Sequence, residues 1–93
     1  MRIFMQNPSD NLRSTRYYHL FLQEDLIDGW TLLVESGEQG RPGRLRREHF
    51  ANRELAMDKL MSLRDSQLDR GYRVMYVQGQ AQPTTPIDGA RNV

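Results

Sequence analysis

The chain has 93 residues, which is enough for one domain with a single modest core and too few for two. It contains no cysteine, so disulfide bonds and thiolate metal sites are excluded. The formal net charge of +1 gives no overall attraction to nucleic acid, so any such binding must depend on a local cluster of charge.

The distribution of apolar residues predicts a soluble, cytoplasmic protein that makes no membrane contact. No apolar run approaches the roughly eighteen residues that a membrane-spanning helix requires. The N-terminal sequence MRIFMQ is too short and too weakly apolar for the core of a signal peptide. The absence of cysteine suits a reducing cytoplasm.

Five short segments predict β-strands; four are rich in apolar and aromatic residues, and the remaining one, Arg44–Phe50, is studded with arginine. They are Arg2–Gln6, Arg16–Glu24, Trp30–Glu35, Arg44–Phe50 and Tyr72–Val77. The first is short and predicts an edge strand. The second alternates over its whole length and carries large side chains on both faces, which predicts a central strand. Asp28-Gly29 precedes the third segment and predicts a tight hairpin turn, because both residues tolerate a positive φ.

A single long helix, Asn52–Arg70, is predicted after the fourth strand. Asn52 is a favourable N-cap residue, and Gly71 is the expected stop because glycine adopts the left-handed conformation without steric cost. The residues predicted to form its apolar side are Leu55, Ala56, Leu60, Leu63 and Gln67, widened by Met57, Met61 and Leu68.

The connections predict an α+β fold, in which one long α-helix packs on one face of an antiparallel β-sheet of four to five strands. Short turns join neighbouring strands as hairpins, and the helix comes late in the chain. We assign residues 1–79 to a single domain. Residues 80–93 contain Pro83, Pro86 and almost no large apolar side chains, which predicts a disordered C-terminal tail.

The segment after the third strand combines spaced glycines with a cluster of arginines. Gly37, Gly40 and Gly43 form the pattern G-x-x-G-x-x-G. The clustered arginines, with one acid among them, are Arg41, Arg44, Arg46, Arg47 and Arg53. Guanidinium groups bind phosphate oxygens in pairs, and loop amides add donors, so this cluster is the predicted nucleic-acid-binding site. The alternative is a solvated sheet face whose arginines pair with neighbouring glutamates.

The order of these features resembles the WGR domain family. The features are a strand beginning with Trp30, the glycine loop, a basic strand ending in Phe50, one long helix and Gly71-Tyr72. The resemblance covers about Tyr17–Val77 and implies the same α+β fold. It also implies a nucleic-acid contact, because WGR modules of poly(ADP-ribose) polymerases contact DNA near strand breaks. The family's naming tripeptide falls on Ser36-Gly37-Glu38, where serine cannot stack on a base and glutamate repels phosphate. The expected binding is therefore weak and made through phosphates.

Side chains that carry chemistry are sparse, and the chain is not expected to be an enzyme. His19 and His49 titrate near neutrality, and each could act as a general base or share a metal with Asp25 or Glu48. Lone histidines on strands are more often ordinary sheet residues, and no Ser-His-Asp, HExxH or CxxC pattern occurs. The glycine loop leads into a strand, whereas a dinucleotide-binding loop opens a helix. We expect no catalytic site, metal site or cofactor.

The competing prediction is a protein-interaction or self-association module that binds a protein partner or forms a homodimer. A helix on one face of the sheet leaves the other face open, and exposed apolar area of this kind marks partner surfaces. The residues predicted to make the open face apolar are Tyr18, Leu20, Leu22 and Leu33. An unpaired edge strand, either Arg2–Gln6 or Tyr72–Val77, offers a second route through strand addition.

Overall fold

Five antiparallel strands and one helix form the regular structure of the computed structural model, which describes residues 1–8 and 14–79. The elements in chain order are β1 (Arg2–Asn7), β2 (Arg16–Glu24), β3 (Trp30–Glu38), β4 (Arg44–Phe50), α1 (Arg53–Asp69) and β5 (Arg73–Gln78). The strands lie in one sheet in the order β4-β3-β2-β1-β5, and α1 packs on one of its faces. The predicted α+β class is confirmed. The predicted tail, residues 80–93, lies outside the described residues.

The helix carries the chain from one edge of the sheet to the other. Its 17 residues give a length of about 25 Å. The outer strands of a five-stranded sheet lie roughly 19 Å apart, so this length is sufficient. β5 therefore pairs with β1 at the far edge, which leaves β1 between β2 and β5. The prediction of Arg2–Gln6 as an edge strand is wrong, whereas β2 is central as predicted.

The core lies between α1 and one face of the sheet. Its buried residues are Ile3, Met5, Tyr18, Leu20, Leu22, Leu32 and Val34 from the strands and Ala56 and Leu60 from the helix. Direct cross-strand partners project from the same face, and Leu20 lies opposite both Ile3 and Val34. Tyr18, Leu20 and Leu22 therefore belong to the core, and their predicted place on the open face is wrong.

Both ends of α1 are capped at the predicted residues. Asn52 Oδ1 accepts a hydrogen bond from the Leu55 amide at 2.9 Å. Gly71 follows the helix with a φ of +97°, and its amide donates to the Leu68 carbonyl at 3.0 Å. Hydrogen bonds within one turn of the backbone therefore fix where the helix begins and ends.

The apolar side of α1 is only partly the predicted one. Ala56, Leu60 and Gln67 are buried, whereas Leu55 is 52% exposed. Leu55 lies one residue before Ala56 and therefore about 100° around the helix from the line that faces the sheet. Among the described residues, α1 is the sole helix, and it lacks the length and apolar composition of a membrane span.

Candidate functional site

The face of the sheet opposite α1 is covered by no element that the structure describes, and we call it the open face. The strand register places on it Arg2, Phe4 and Gln6 of β1, Tyr17, His19, Phe21 and Gln23 of β2, Thr31, Leu33, Glu35 and Gly37 of β3, Leu45, Arg47 and His49 of β4, and Arg73, Tyr76 and Gln78 of β5. Aromatic rings and arginines predominate in this set, which holds one carboxylate. The open face is therefore aromatic and cationic.

Aromatic rings form a continuous row across β5, β1 and β2. Phe4 lies in the middle of the row, and the Tyr76 ring stacks on it with centroids 5.5 Å apart and planes 21° apart. On the other side the Tyr17 centroid lies 6.4 Å from that of Phe4, again at 21°. His19 meets Phe4 edge-on at 5.5 Å. These contacts hold the rings in place.

A groove with a volume of about 350 Å³ lies next to this row. It is lined by Phe4, Gln6, Tyr17, His19, Glu35, Gln39, Gly40 and Arg41. The Tyr17 hydroxyl donates to Glu35 Oε2 at 3.3 Å. Nε2 of His19 is the one buried side-chain nitrogen or oxygen in the described part of the chain that has no hydrogen-bond partner. The Tyr17 hydroxyl and the Glu35 carboxylate therefore form a polar pair in the groove, whereas Nε2 of His19 is buried.

The ionisation of the groove residues follows from their surroundings. Burial and the nearby Arg2 lower the pKa of His19, although Glu35 opposes this shift. The imidazole is therefore neutral at pH 7. Burial and the adjacent Glu35 carboxylate raise the pKa of Tyr17, so its hydroxyl remains protonated and donates to Glu35.

The spaced glycines make room for Tyr17. Gly37 belongs to β3, where it lies opposite Tyr17, so its predicted place in the loop is wrong. A Cβ atom on Gly43 would overlap the Tyr17 hydroxyl. Of the three glycines, Gly40 has a positive φ, +87°, at the hairpin turn. The glycine pattern thus allows the β3–β4 hairpin to pass close to the aromatic row.

The arginines of the predicted site divide between two sides of the sheet. Arg44 and Arg46 share a face, as predicted, and it is the face that α1 covers, because they lie opposite Ser36 and Val34. Nη2 of Arg46 donates to the hydroxyl of Tyr18 at 3.3 Å. These two arginines therefore lie along the helix side of β4.

The other predicted arginines occupy different positions. Arg47 lies opposite Leu33 on the open face. Arg41 lines the groove at the hairpin turn, with its Nε 3.4 Å from Glu38 Oε1. Arg53 is the first residue of α1. Because β4 is an edge strand, Arg44, Arg46 and Arg47 border the same edge of the sheet from both sides.

One of the anticipated histidine–carboxylate contacts is present. Nδ1 of His49 lies 2.9 Å from Asp25 Oδ2, and the Thr31 hydroxyl donates to Asp25 Oδ1 at 2.7 Å. No group of three potential metal ligands occurs within residues 1–8 and 14–79. The contact joins the β2–β3 hairpin to the end of β4.

Sequence reasoning missed the residues that β1 and β5 add to the open face. Arg2, Phe4, Arg73 and Tyr76 come from strands that are distant in the chain and adjacent in the sheet. Their alternation was a usable signal, but it could not indicate that the two strands pair. In comparisons with known proteins, no family model, curated protein or solved structure matches the chain. The fold and the site define an α+β protein with an aromatic and cationic sheet face that no element in residues 1–8 and 14–79 covers.

Proposed function

We propose that this chain is a non-catalytic, WGR-like binding module whose open face binds single-stranded nucleic acid. The observation that carries the proposal is the row of Tyr17, Phe4 and Tyr76 rings on the open face. Proteins that bind single strands stack bases on aromatic side chains of such a face. Basic groups beside the rings bind the phosphates.

Arginines supply the phosphate contacts in this proposal. Arg2, Arg47 and Arg73 lie on the open face around the aromatic row. Arg41 lines the groove beside it. The guanidinium of Arg2 lies 4.5 Å above the centroid of Phe21, which holds that cation close to the sheet.

The arginine-rich strand extends the same surface. Arg44 and Arg46 lie on the helix side of β4, and Arg53 begins the helix that follows. A nucleic-acid strand that leaves the open face over the β4 edge passes these groups. They bind phosphates and read no base edges, so their contribution does not depend on sequence.

The shape of the surface favours single strands over duplexes. A flat sheet face with no projecting helix does not enter the major groove, where duplex sequence is read. Unpaired bases, in contrast, present their faces for stacking on exposed rings. For single strands, the logarithm of affinity falls by about 0.7 per contacted phosphate for each tenfold rise in salt.

Fluorescence anisotropy with a labelled single strand and the matching duplex, repeated over a series of salt concentrations, tests the proposal. Tyr76→Ala removes a ring on which one base would stack. It should weaken binding roughly 5- to 150-fold without changing the salt slope. Combined Arg44→Ser and Arg46→Ser should lower the slope by about 1.4 units. Arg64→Ser is the control. Arg64 lies on α1, where its side chain contacts Asp65, so this substitution should change neither the affinity nor the salt slope. Absence of binding at low salt, or tighter binding of the duplex, contradicts the proposal.

A protein-interaction role is the second candidate function, and the edge strand β5 favours it. The outer apolar residues Val74, Met75, Tyr76 and Val77 are 39–53% exposed, with no charged residue among them. An extended segment of a partner can add to such an edge as a sixth strand. Met75→Lys places a charge on this edge and should abolish that association, whereas it should leave the Arg44 and Arg46 contribution to nucleic-acid binding unchanged.

A further inference from the structure

The tip of the β2–β3 hairpin displays two large aliphatic side chains to solvent. Leu26 and Ile27 are 104% and 97% exposed, so neither contacts the rest of the molecule appreciably. The turn that carries them is well defined by its own contacts. The Asp25 amide donates to the Gly29 carbonyl at 3.0 Å, and the Asp25 carboxylate pairs with His49. Two adjacent exposed aliphatic side chains, on a turn that is fixed by its own contacts, are typical of a surface that binds a partner.

A groove of about 360 Å³ lies between α1 and β4. It is lined by Leu32, Val34 and Leu63, together with Arg46, Arg47, Glu48 and Lys59. The groove lies where β4 presents Arg46 and Glu48 to the helix side of the sheet, opposite Val34 and Leu32. Its lining is apolar with an excess of positive charge at the rim. We call it the helix–β4 groove.

The hairpin tip and the helix–β4 groove are complementary in character. The tip carries an apolar pair flanked by the acidic residues Glu24, Asp25 and Asp28. The groove carries apolar residues bordered by two cations, Arg46 and Lys59, and one carboxylate, Glu48; Arg47 also lines it, but the strand register directs its side chain to the open face. The same acidic flank disfavours insertion of Leu26 and Ile27 into an anionic membrane surface.

We propose that the hairpin tip of one copy of this protein docks in the helix–β4 groove of a second copy. Leu26 and Ile27 enter the groove and lie against Leu63, the most exposed of its three apolar residues, and the acidic flank faces the basic rim. The two surfaces are different patches, so the contact is head-to-tail and leaves one free tip and one free groove on every dimer. The assembly therefore grows into a chain or closes into a ring. The contact is small, and the association is accordingly weak. It does not depend on nucleic-acid binding.

Sedimentation velocity over a range of protein concentrations measures this association. The mean mass of the wild-type protein should rise with concentration. Combined Leu26→Ser and Ile27→Ser should keep the protein monomeric, and its fold should be intact because both side chains are fully exposed. Lys59→Glu, which places a carboxylate at the groove rim, should do the same. Leu68→Ser is the matched control, since it removes an exposed leucine outside both surfaces and should leave the association unchanged.

Mixing the two monomeric variants distinguishes head-to-tail docking from other contacts. The Leu26→Ser, Ile27→Ser protein retains a groove, and the Lys59→Glu protein retains a tip. Their mixture should form a one-to-one heterodimer and nothing larger. A wild-type protein that is monomeric throughout, or tip variants that associate like the wild type, would overturn the proposal. A mixture that stays monomeric would also overturn it.

Disulfide cross-linking locates the contact directly. The natural chain has no cysteine, so each introduced cysteine is the sole thiol of its protein. Ile27→Cys and Lys59→Cys proteins, mixed and oxidised, should yield mainly the disulfide-linked heterodimer. Ile27→Cys mixed with Ser14→Cys is the control, because Ser14 is exposed and lies outside the groove. Equal yields in the two mixtures, or a predominance of Ile27→Cys homodimer, would exclude docking of the tip in the groove.

Discussion

Two glycines with almost the same backbone conformation provide a sensitive test of how the β2–β3 hairpin is held. Gly29 has a φ of +85° and Gly40 a φ of +87°. An alanine in this left-handed region costs about 1–2 kcal/mol at either position. A Cβ on Gly40 meets no atom within 4 Å, so this conformational cost is the whole expected effect of Gly40→Ala.

The surroundings of Gly29 add a second cost. A Cβ there would lie 2.5 Å from His49 Cε1 and 2.5 Å from the Phe50 carbonyl oxygen. The carbonyl belongs to the backbone of β4 and cannot move without disturbing the strand. Overpacking of this kind costs about 1–3 kcal/mol. Gly29→Ala should therefore reduce the free energy of unfolding by about 2–5 kcal/mol, clearly more than Gly40→Ala.

Equilibrium urea unfolding, followed by circular dichroism, measures the loss of stability in both variants. Equal m-values for the variants and the wild type would show that all of them unfold in the same transition. Gly29→Ala should cost less in a His49→Ala background than in the wild type, because the ring that its Cβ would meet is then absent while the carbonyl remains. Equal losses for the two glycine variants would refute the reasoning. The hairpin would then not be held against β4 as described.

Three further predictions concern the core, the helix cap and pH. Trp30→Ala should lower the free energy of unfolding in urea by about 3 kcal/mol. This is the lower end of the range for a large aromatic residue, because Trp30 is half-buried against the core. A loss below about 1 kcal/mol would place Trp30 outside the core. Asn52→Ala should cost about 1 kcal/mol by thermal unfolding, with Asn52→Ser nearly neutral, and equal losses would show that the cap contributes little. Because the pKa of His19 is lowered in the folded state, the unfolded chain binds more protons in acid. Stability should therefore fall as the pH drops below about 6.5. The fall should be smaller in His19→Gln, and an unchanged pH profile would contradict this account.

Local patterns in the sequence determined most of the secondary structure. Alternation in Arg16–Glu24 identified a strand that is central in the sheet. Asn52 and Gly71 marked the helix ends, because a side-chain cap and a left-handed residue act within one turn of the backbone. The α+β class followed from the order of the elements. Alternation also showed that Arg44 and Arg46 share a face, since this depends on the strand repeat alone.

The tertiary structure decided which face of the sheet became the core and which became the candidate site. Both faces of β2 carry large apolar or aromatic side chains, so alternation separated Tyr17 from Tyr18 without indicating which one is buried. The choice depends on partners from distant parts of the chain. Leu20 lies beside Ile3 and Val34, and the helix covers that side. The aromatic row likewise requires β1 and β5 to pair, which the path of α1 across the sheet makes possible. Sequence patterns report local periodicity, whereas the pairing of distant strands depends on the packing of the whole sheet against its helix.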